Sequence, residues 1–171
     1  MGGDNAEIAM LCVRPHGCGQ RFLSTLMTGR AARELGMRVA EIMKVRVATI
    51  EMDDALETVR ELFSQAPFHH LLVVDETGQL VGILSDKDLF KALSPYLDSL
   101  AENQRDRDTL ARRVHQVMTR QPVTVNPQLS VQDAARLMLE QGVSCLPVLE
   151  NGQISGILTW RDLLRACVDN R

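Results

Sequence analysis

Two pairs of polar side chains stand where they could hold a ligand. Ser85 and Asp88 are three positions apart in Gly82-Ile-Leu-Ser-Asp-Lys-Asp-Leu89, and Thr159 and Asp162 are three apart in Gly156-Ile-Leu-Thr-Trp-Arg-Asp-Leu163, 74 positions later. In each copy an apolar run ends at a hydroxyl residue, and the aspartate falls in the first turn of the helix that should follow. A hydroxyl beside the free amides of a helix N-terminus suits a phosphate, because the unpaired N–H groups and the helix dipole both favour negative charge. A carboxylate only accepts hydrogen bonds and suits the adjacent hydroxyls of a sugar. The same residues also have a simpler use, with Ser85 and Thr159 as N-caps and the aspartates completing capping boxes. Recurrence of the pair in the same frame weighs against capping as its whole purpose.

The elements that must position these pairs are themselves repeated. Adding 75 maps Met43 on Met118, Thr49 on Thr124, Leu62 on Leu137, Leu71 on Leu146 and Val73 on Val148. One residue is lost where Asp75-Glu-Thr-Gly78 faces Glu150-Asn-Gly152, and the offset is 74 from there on. Both are tight-turn sequences, and Asn-Gly is a strong two-residue hairpin signal. Each repeat reads as strand, helix, strand, turn, strand, helix. In the first, the pattern predicts a strand over 47–50 and a helix opened by an Asp54/Glu57 capping box, with Leu56, Val59, Leu62, Phe63 and Ala66 at helical spacing up to Pro67. Strands over 71–74 and 80–84 and a helix over 85–93 follow. The second copy predicts a strand over 123–125, a helix capped at Ser130 with Val131, Ala134, Ala135 and Met138 on one face, strands over 146–149 and 154–158, and a helix to about Val168. A single unit of this size buries too little surface to be comfortable alone, whereas two packed together share one core.

The chain divides accordingly. Residues 1–36 match neither repeat and are read as an N-terminal extension, disordered or a short helix, that the stability of the remainder does not need. Residues 37–93 and 113–169 are the repeats, and 94–112, rich in alternating charges, is a helical connector rather than a site.

Composition narrows the function. The 171 residues are 45% apolar and 24% charged, as expected of a globular domain able to bury a core. A net charge of −3 and few aromatic residues disfavour nucleic acid as a partner. No run is long enough to span a membrane and no signal peptide is evident, so the protein is expected to be cytoplasmic and free of membrane. Cys145 and Cys167 lie in apolar-patterned segments and read as reduced core residues, not a disulfide framework. Cys12, His16 and Cys18 match no common zinc spacing, so no metal is expected. No nucleophile or acid/base pair with converging partners is visible; an enzyme using His69 or His70 is the weakest alternative, and no catalytic residue or required cofactor is assigned.

The two phrases, the Leu146-Pro147-Val148 strand and the tandem repeat together resemble the paired cystathionine-β-synthase (CBS) domains, over about residues 39–168. The resemblance implies an α/β (α+β) fold in which two β-α-β-β-α repeats pack as one pseudo-two-fold module, dimerising into a disc. It implies a sensor that does not catalyse, with an adenosyl ligand such as AMP, ADP, ATP or S-adenosylmethionine in the clefts between units. Each cleft would take its Ser/Thr-x-x-Asp from one repeat and its adenine wall from the other. Cleft one would combine Ser85 and Asp88 with Thr119, Thr124, Val143, Ser144 and Cys145. Cleft two would combine Thr159 and Asp162 with Thr49, His69, His70 and the adjoining Phe68. Cleft two departs from the family pattern, with Lys44 opposite Thr119, Leu72 opposite Pro147, and histidines in the wall. This comparison ranks cleft one as the better adenosine site, while Lys44, His69, Lys87 and Arg161 are placed to meet additional phosphates in cleft two. A homodimer is expected because Leu89, Phe90, Leu163 and Leu164 cannot all face inward, with an effector protein as a further partner. The alternative is a dimeric scaffold whose clefts hold nothing.

Overall fold

The computed structural model describes residues 36–65 and 67–169. The expected N-terminal extension, with Cys12, His16 and Cys18, lies outside the described residues but for Gly36. The order is α1 (Val39–Ile42), β1 (Thr49–Glu51), α2 (Leu56–Gln65), β2 (His70–Val74), β3 (Leu80–Ser85), α3 (Asp86–Ala92), α4 (Gln104–Asp108), a 3-10 turn (Val114–Gln116), β4 (Thr119–Arg120), α5 (Val131–Gln141), β5 (Cys145–Glu150), β6 (Gln153–Thr159) and α6 (Trp160–Asp169). This is the expected α/β arrangement, two β-α-β-β-α repeats in tandem.

The sheets show how the repeats interlock. One sheet runs β1-β2-β3-β4, with β1 parallel to β2 and the other pairs antiparallel. The other is the β5-β6 hairpin, flanked by Val125, a parallel bridge to Val148, and by Lys44, an antiparallel bridge to Ile157. Ile83 pairs with Thr119 in the first sheet and Ile157 with Lys44 in the second, and these positions correspond under the repeat. The segment that leads into each repeat therefore completes the sheet of the other.

That crossing explains the glycine opening each phrase. A Cβ on Gly82 would run into the side chain of Met118, and one on Gly156 would lie 2.7 Å from the backbone oxygen of Lys44 and 2.9 Å from the sulfur of Met43. Glycine is needed here for close approach. The hairpin turns follow their sequences: Asn151 and Gly152 both take positive φ, 52° and 81°, as a type I′ turn requires, and Gly78 takes 80°. The register shifts at Val73/Val74 and again at Val148/Leu149, so even the irregularity repeats.

Two local expectations are corrected. No capping box of Asp54 and Glu57 opens α2. The Leu56 and Glu57 amides instead donate to the carbonyls of Arg112 (2.9 Å) and Leu110 (3.1 Å), while Asp54 Oδ2 accepts from the Glu51 amide. The end of the connector thus serves as the cap, a long-range partner that local spacing does not reveal. The strand expected over 123–125 reduces to Val125, whose amide donates to Pro147 O and whose carbonyl accepts from Leu149 N. Pro122 and Pro127 on either side remove ladder donors. The connector is helical only over Gln104–Asp108, with buried Asp106 accepting from Ser94 Oγ (2.6 Å) and from the Asn103 amide.

Ser130 caps α5 through the Asp133 amide as expected, and Gly142 ends it in the left-handed conformation. The first core gathers Ile50, Leu56, Val59, Leu71, Val73, Leu84, Leu89, Val114 and Met118. Leu72, between two of these on β2, points the other way and packs with Cys145 and Ile157 of the second repeat. Alternation along one strand thus supplies both a repeat's core and its contact with the other.

Candidate functional site

The first phrase forms the capping box in full, and the second forms its carboxylate half. Ser85 caps α3, its Oγ accepting from the Asp88 amide (3.2 Å), while Asp88 Oδ2 accepts from the Ser85 amide (3.2 Å) and hydroxyl (2.6 Å). Asp162 Oδ2 accepts from the Thr159 amide (2.9 Å) and from its hydroxyl. Both aspartates use Oδ2 for this, so capping leaves the other carboxylate oxygen for a different partner.

The walls are tied to the phrases by a recurring backbone bond. Asp86 N donates to His69 O and Trp160 N donates to Ser144 O, each at 3.1 Å. The first turn of each helix is therefore fixed to the strand entry beside it. Between the repeats, His70 Nε2 lies 3.2 Å from Ser144 Oγ; within the first repeat, His69 Nδ1 lies 2.7 Å from Asp86 Oδ2.

A cavity of about 350 Å³ opens at this junction. Its apolar lining is Val47, Ala48, Pro67, Phe68, Leu72, Ile157 and Trp160, and its polar lining includes Ser85, Ser144, Thr159, Lys44, His69 and His70. Phe68 is held by a tilted contact with Phe63, centroids 5.6 Å apart. Four basic residues, Lys44, Arg46, Lys87 and Arg161, reach the lining, against one carboxylate, Asp86. An apolar slot with few convergent polar groups is the usual form of a small-molecule site.

Burial and hydrogen bonding set the electrostatics of three groups at this junction. Burial holds His70 below the ordinary histidine value, opposed by nearby Asp86 and Asp88, so its neutral form is favoured. Burial would raise the Asp86 carboxyl, but hydrogen bonds from His69 and from the Lys87 amide outweigh it and bring the value down. Burial pushes the Cys145 thiol up to about 12, which leaves it unreactive.

Of the residues expected in the two clefts, the structure brings Lys44, His69, His70 and Thr159 of cleft two and Ser85 and Ser144 of cleft one to one cavity. Asp88, Asp162, Thr49, Thr119, Thr124, Val143 and Cys145 do not line it. Thr49, Thr119 and Thr124 are exposed, and of the two cysteines expected in the core Cys145 is buried between the repeats whereas Cys167, on α6, is exposed. The space thus lies mainly on the side ranked second on sequence. At the lining position of Ala48 the other repeat carries the larger Val123. Arg46, Val47, Ala48 and Asp86 were not foreseen as lining residues. The signal for Asp86 was its place directly after Ser85, and that for the others was proximity to Thr49. Among the described residues no cluster of three or more His, Cys, Asp or Glu could hold a metal, and no helix is long and apolar enough to cross a membrane.

Comparison with known proteins agrees with this architecture. The family model described as the CBS domain matches residues 39–95 and 114–169. A CBS domain-containing protein of Dictyostelium discoideum is 37% identical over 130 residues, covering 74% of this chain and 88% of that protein. An uncharacterized protein of Methanocaldococcus jannaschii is 28% identical over 155 residues, covering 77% and 92%. Among solved structures, CBSX2 in complex with AMP superposes with a TM-score of 0.64 at 29% identity, covering 77% of this chain and 96% of that one. The CBS domain pair of protein MJ0100, in complex with 5′-methylthioadenosine and S-adenosyl-L-methionine, gives a TM-score of 0.65 at 25% identity, covering 79% and 98%. With both repeats matched by the family model and the same paired architecture in its structural neighbours, this chain belongs to the CBS domain family, as a tandem pair.

Proposed function

We propose that the protein is a non-catalytic regulatory module that binds an adenine nucleotide or related adenosyl compound in the cleft of Thr159 and Asp162. The observation that carries this reading is the cavity, whose apolar slot of Ala48, Phe68 and Leu72 suits a flat base and whose far side presents Thr159 at the head of α6. Neighbouring CBS pairs that hold AMP or 5′-methylthioadenosine and S-adenosyl-L-methionine support the ligand class. The Ser85 and Asp88 cleft is a second, weaker site in this reading. Phe90 at 74% exposure, with Trp160, Leu164 and Val168 on the surface of α6, supports assembly into a homodimer whose state an effector protein reads.

Calorimetric titration of the purified chain with AMP, ADP, ATP and S-adenosylmethionine tests the ligand reading. A carboxylate contact to ribose hydroxyls contributes about 1.5 to 3 kcal/mol, so Asp162→Asn should weaken the tighter phase roughly 10- to 150-fold while Asp88→Asn leaves it in place. No binding across the panel would favour a ligand-free scaffold, and loss of the tighter phase in Asp88→Asn alone would move the principal site to cleft one.

A further inference from the structure

We infer that Lys44 is a specificity-determining latch, which covers the carboxylate of Asp162 and makes the cleft select phosphorylated ligands over their unphosphorylated nucleosides. The inference rests on the ligand reading above and concerns which members of that class can enter.

Thr159, Trp160 and Arg161 line the cavity, but Asp162, next in the chain, does not. Its side chain is 5% exposed, and Lys44 Nζ lies 3.6 Å from Asp162 Oδ1, the oxygen that capping leaves over. Lys44 does line the cavity, and its side chain is 53% exposed. The ammonium therefore stands between the carboxylate and the space a ligand would occupy. Its backbone is fixed, with Lys44 N donating to Ile157 O and Ile157 N to Lys44 O, each at 2.9 Å, so only the side chain is free to swing.

The other repeat lacks this device. The position equivalent to Lys44 is Thr119, and among the described residues Asp88 has no lysine, arginine or histidine within ion-pair distance. The latch is thus peculiar to one cleft.

Its consequence is a coupled exchange. A ribose that takes Oδ1 of Asp162 deprives Lys44 of its counter-charge. A ligand with a phosphate returns an anion to the displaced ammonium, where Arg46, Lys87 and Arg161 add positive potential. Adenosine offers no replacement, and S-adenosylmethionine brings a sulfonium cation into a basic cavity. Adenosine therefore leaves Lys44 to water alone, and S-adenosylmethionine, whose single carboxylate is outweighed by its sulfonium and ammonium, adds net positive charge beside it.

The test measures adenosine, AMP, ADP and S-adenosylmethionine against the full chain and its Lys44→Thr and Lys44→Met variants, with thermal melting as the check on folding. Wild type should prefer ADP to adenosine. Removing the ammonium should reduce that preference about 10- to 100-fold, because one charge-assisted contact to phosphate is lost while Asp162 is uncovered. Adenosine itself should bind as well or better in the variants, a gain that simple damage to the site would not produce. A preference unchanged within about twofold, or adenosine weakened as much as ADP, overturns the latch and leaves the ligand reading intact. Failure of every ligand to bind wild type would sink the ligand reading and the latch together.

Discussion

Alanine at Gly156 should destabilise the protein more than alanine at the equivalent Gly82, and the reason is what each new methyl meets. At Gly156 the nearest atom is the Lys44 backbone oxygen at 2.7 Å, and backbone held by two 2.9 Å hydrogen bonds to Ile157 cannot step aside alone. At Gly82 the nearest atom is the sulfur of the Met118 side chain, which has rotatable bonds with which to move, and the nearest backbone atom, Thr119 O, is farther off at 3.1 Å. Overpacking costs about 1 to 3 kcal/mol, and loosening the two bridge bonds adds about 1 kcal/mol each. Gly→Ala returns about 0.4 to 1 kcal/mol through the unfolded chain, and neither glycine takes a positive φ that would cancel that gain. The net for Gly156→Ala is about 3 kcal/mol, or roughly 6 to 12 °C in Tm for a chain of this size. Gly82→Ala should stay within about 1 kcal/mol, roughly 2 to 4 °C. Thermal unfolding followed by circular dichroism reads both, and hydrogen exchange at the Lys44 amide should accelerate in the first variant only. Equal melting of the two variants, or a larger loss at Gly82, would refute the claim that the Lys44 bridge is a rigid closure.

Other outcomes follow from the charge and burial of single groups. Because the folded pKa of His70 lies below its unfolded value of 6.5, its contribution to stability is complete above that value and is lost as pH falls from 6.5 toward the folded pKa. Denaturant midpoints measured from pH 7.5 to 5.5 should decline, and His70→Gln should flatten that decline; an equal slope in the variant would remove His70 from the explanation. Brief maleimide treatment of the native protein followed by peptide mass mapping should label Cys167, which is exposed, and spare Cys145, whose thiol burial pushes up to about 12. Light scattering at micromolar concentration should return a dimer, and Phe90→Ser with Val168→Ser should shift it toward the 19.1 kDa chain if those exposed side chains form the contact.

What the sequence made legible is what local pattern controls. The offset of 75 falling to 74 located both hairpins, and the Asn151-Gly152 pair specified its turn, because both depend on neighbours a few residues apart. The capping role of Ser85 and Ser130 was legible for the same reason. Contacts between distant segments were not. Nothing in the Asp54/Glu57 spacing announces that Arg112 and Leu110 will satisfy the start of α2, nor does Met43-Lys44 announce its place on the edge of β6. The site divides likewise. The polar pairs could be read from the repeat, but the location of the cavity depends on Ala48, Phe68 and Leu72 of the first repeat facing Ser144, Ile157 and Thr159 of the second, which happens only after both repeats are docked.

The exchanged edges bear on how the chain reaches its fold. Lys44 and Ile157 lie near opposite ends of the described residues, so their bridge carries a large loop-closure entropy and belongs among the last contacts made. Until it forms, β6 presents an open edge that any stray Met43-Lys44 segment can occupy, including one from a second copy. Cutting the chain within 94–112 would produce two fragments, each missing the edge the other carries. Mixed together, they should recombine into the intact pair, whereas either one alone should associate with itself.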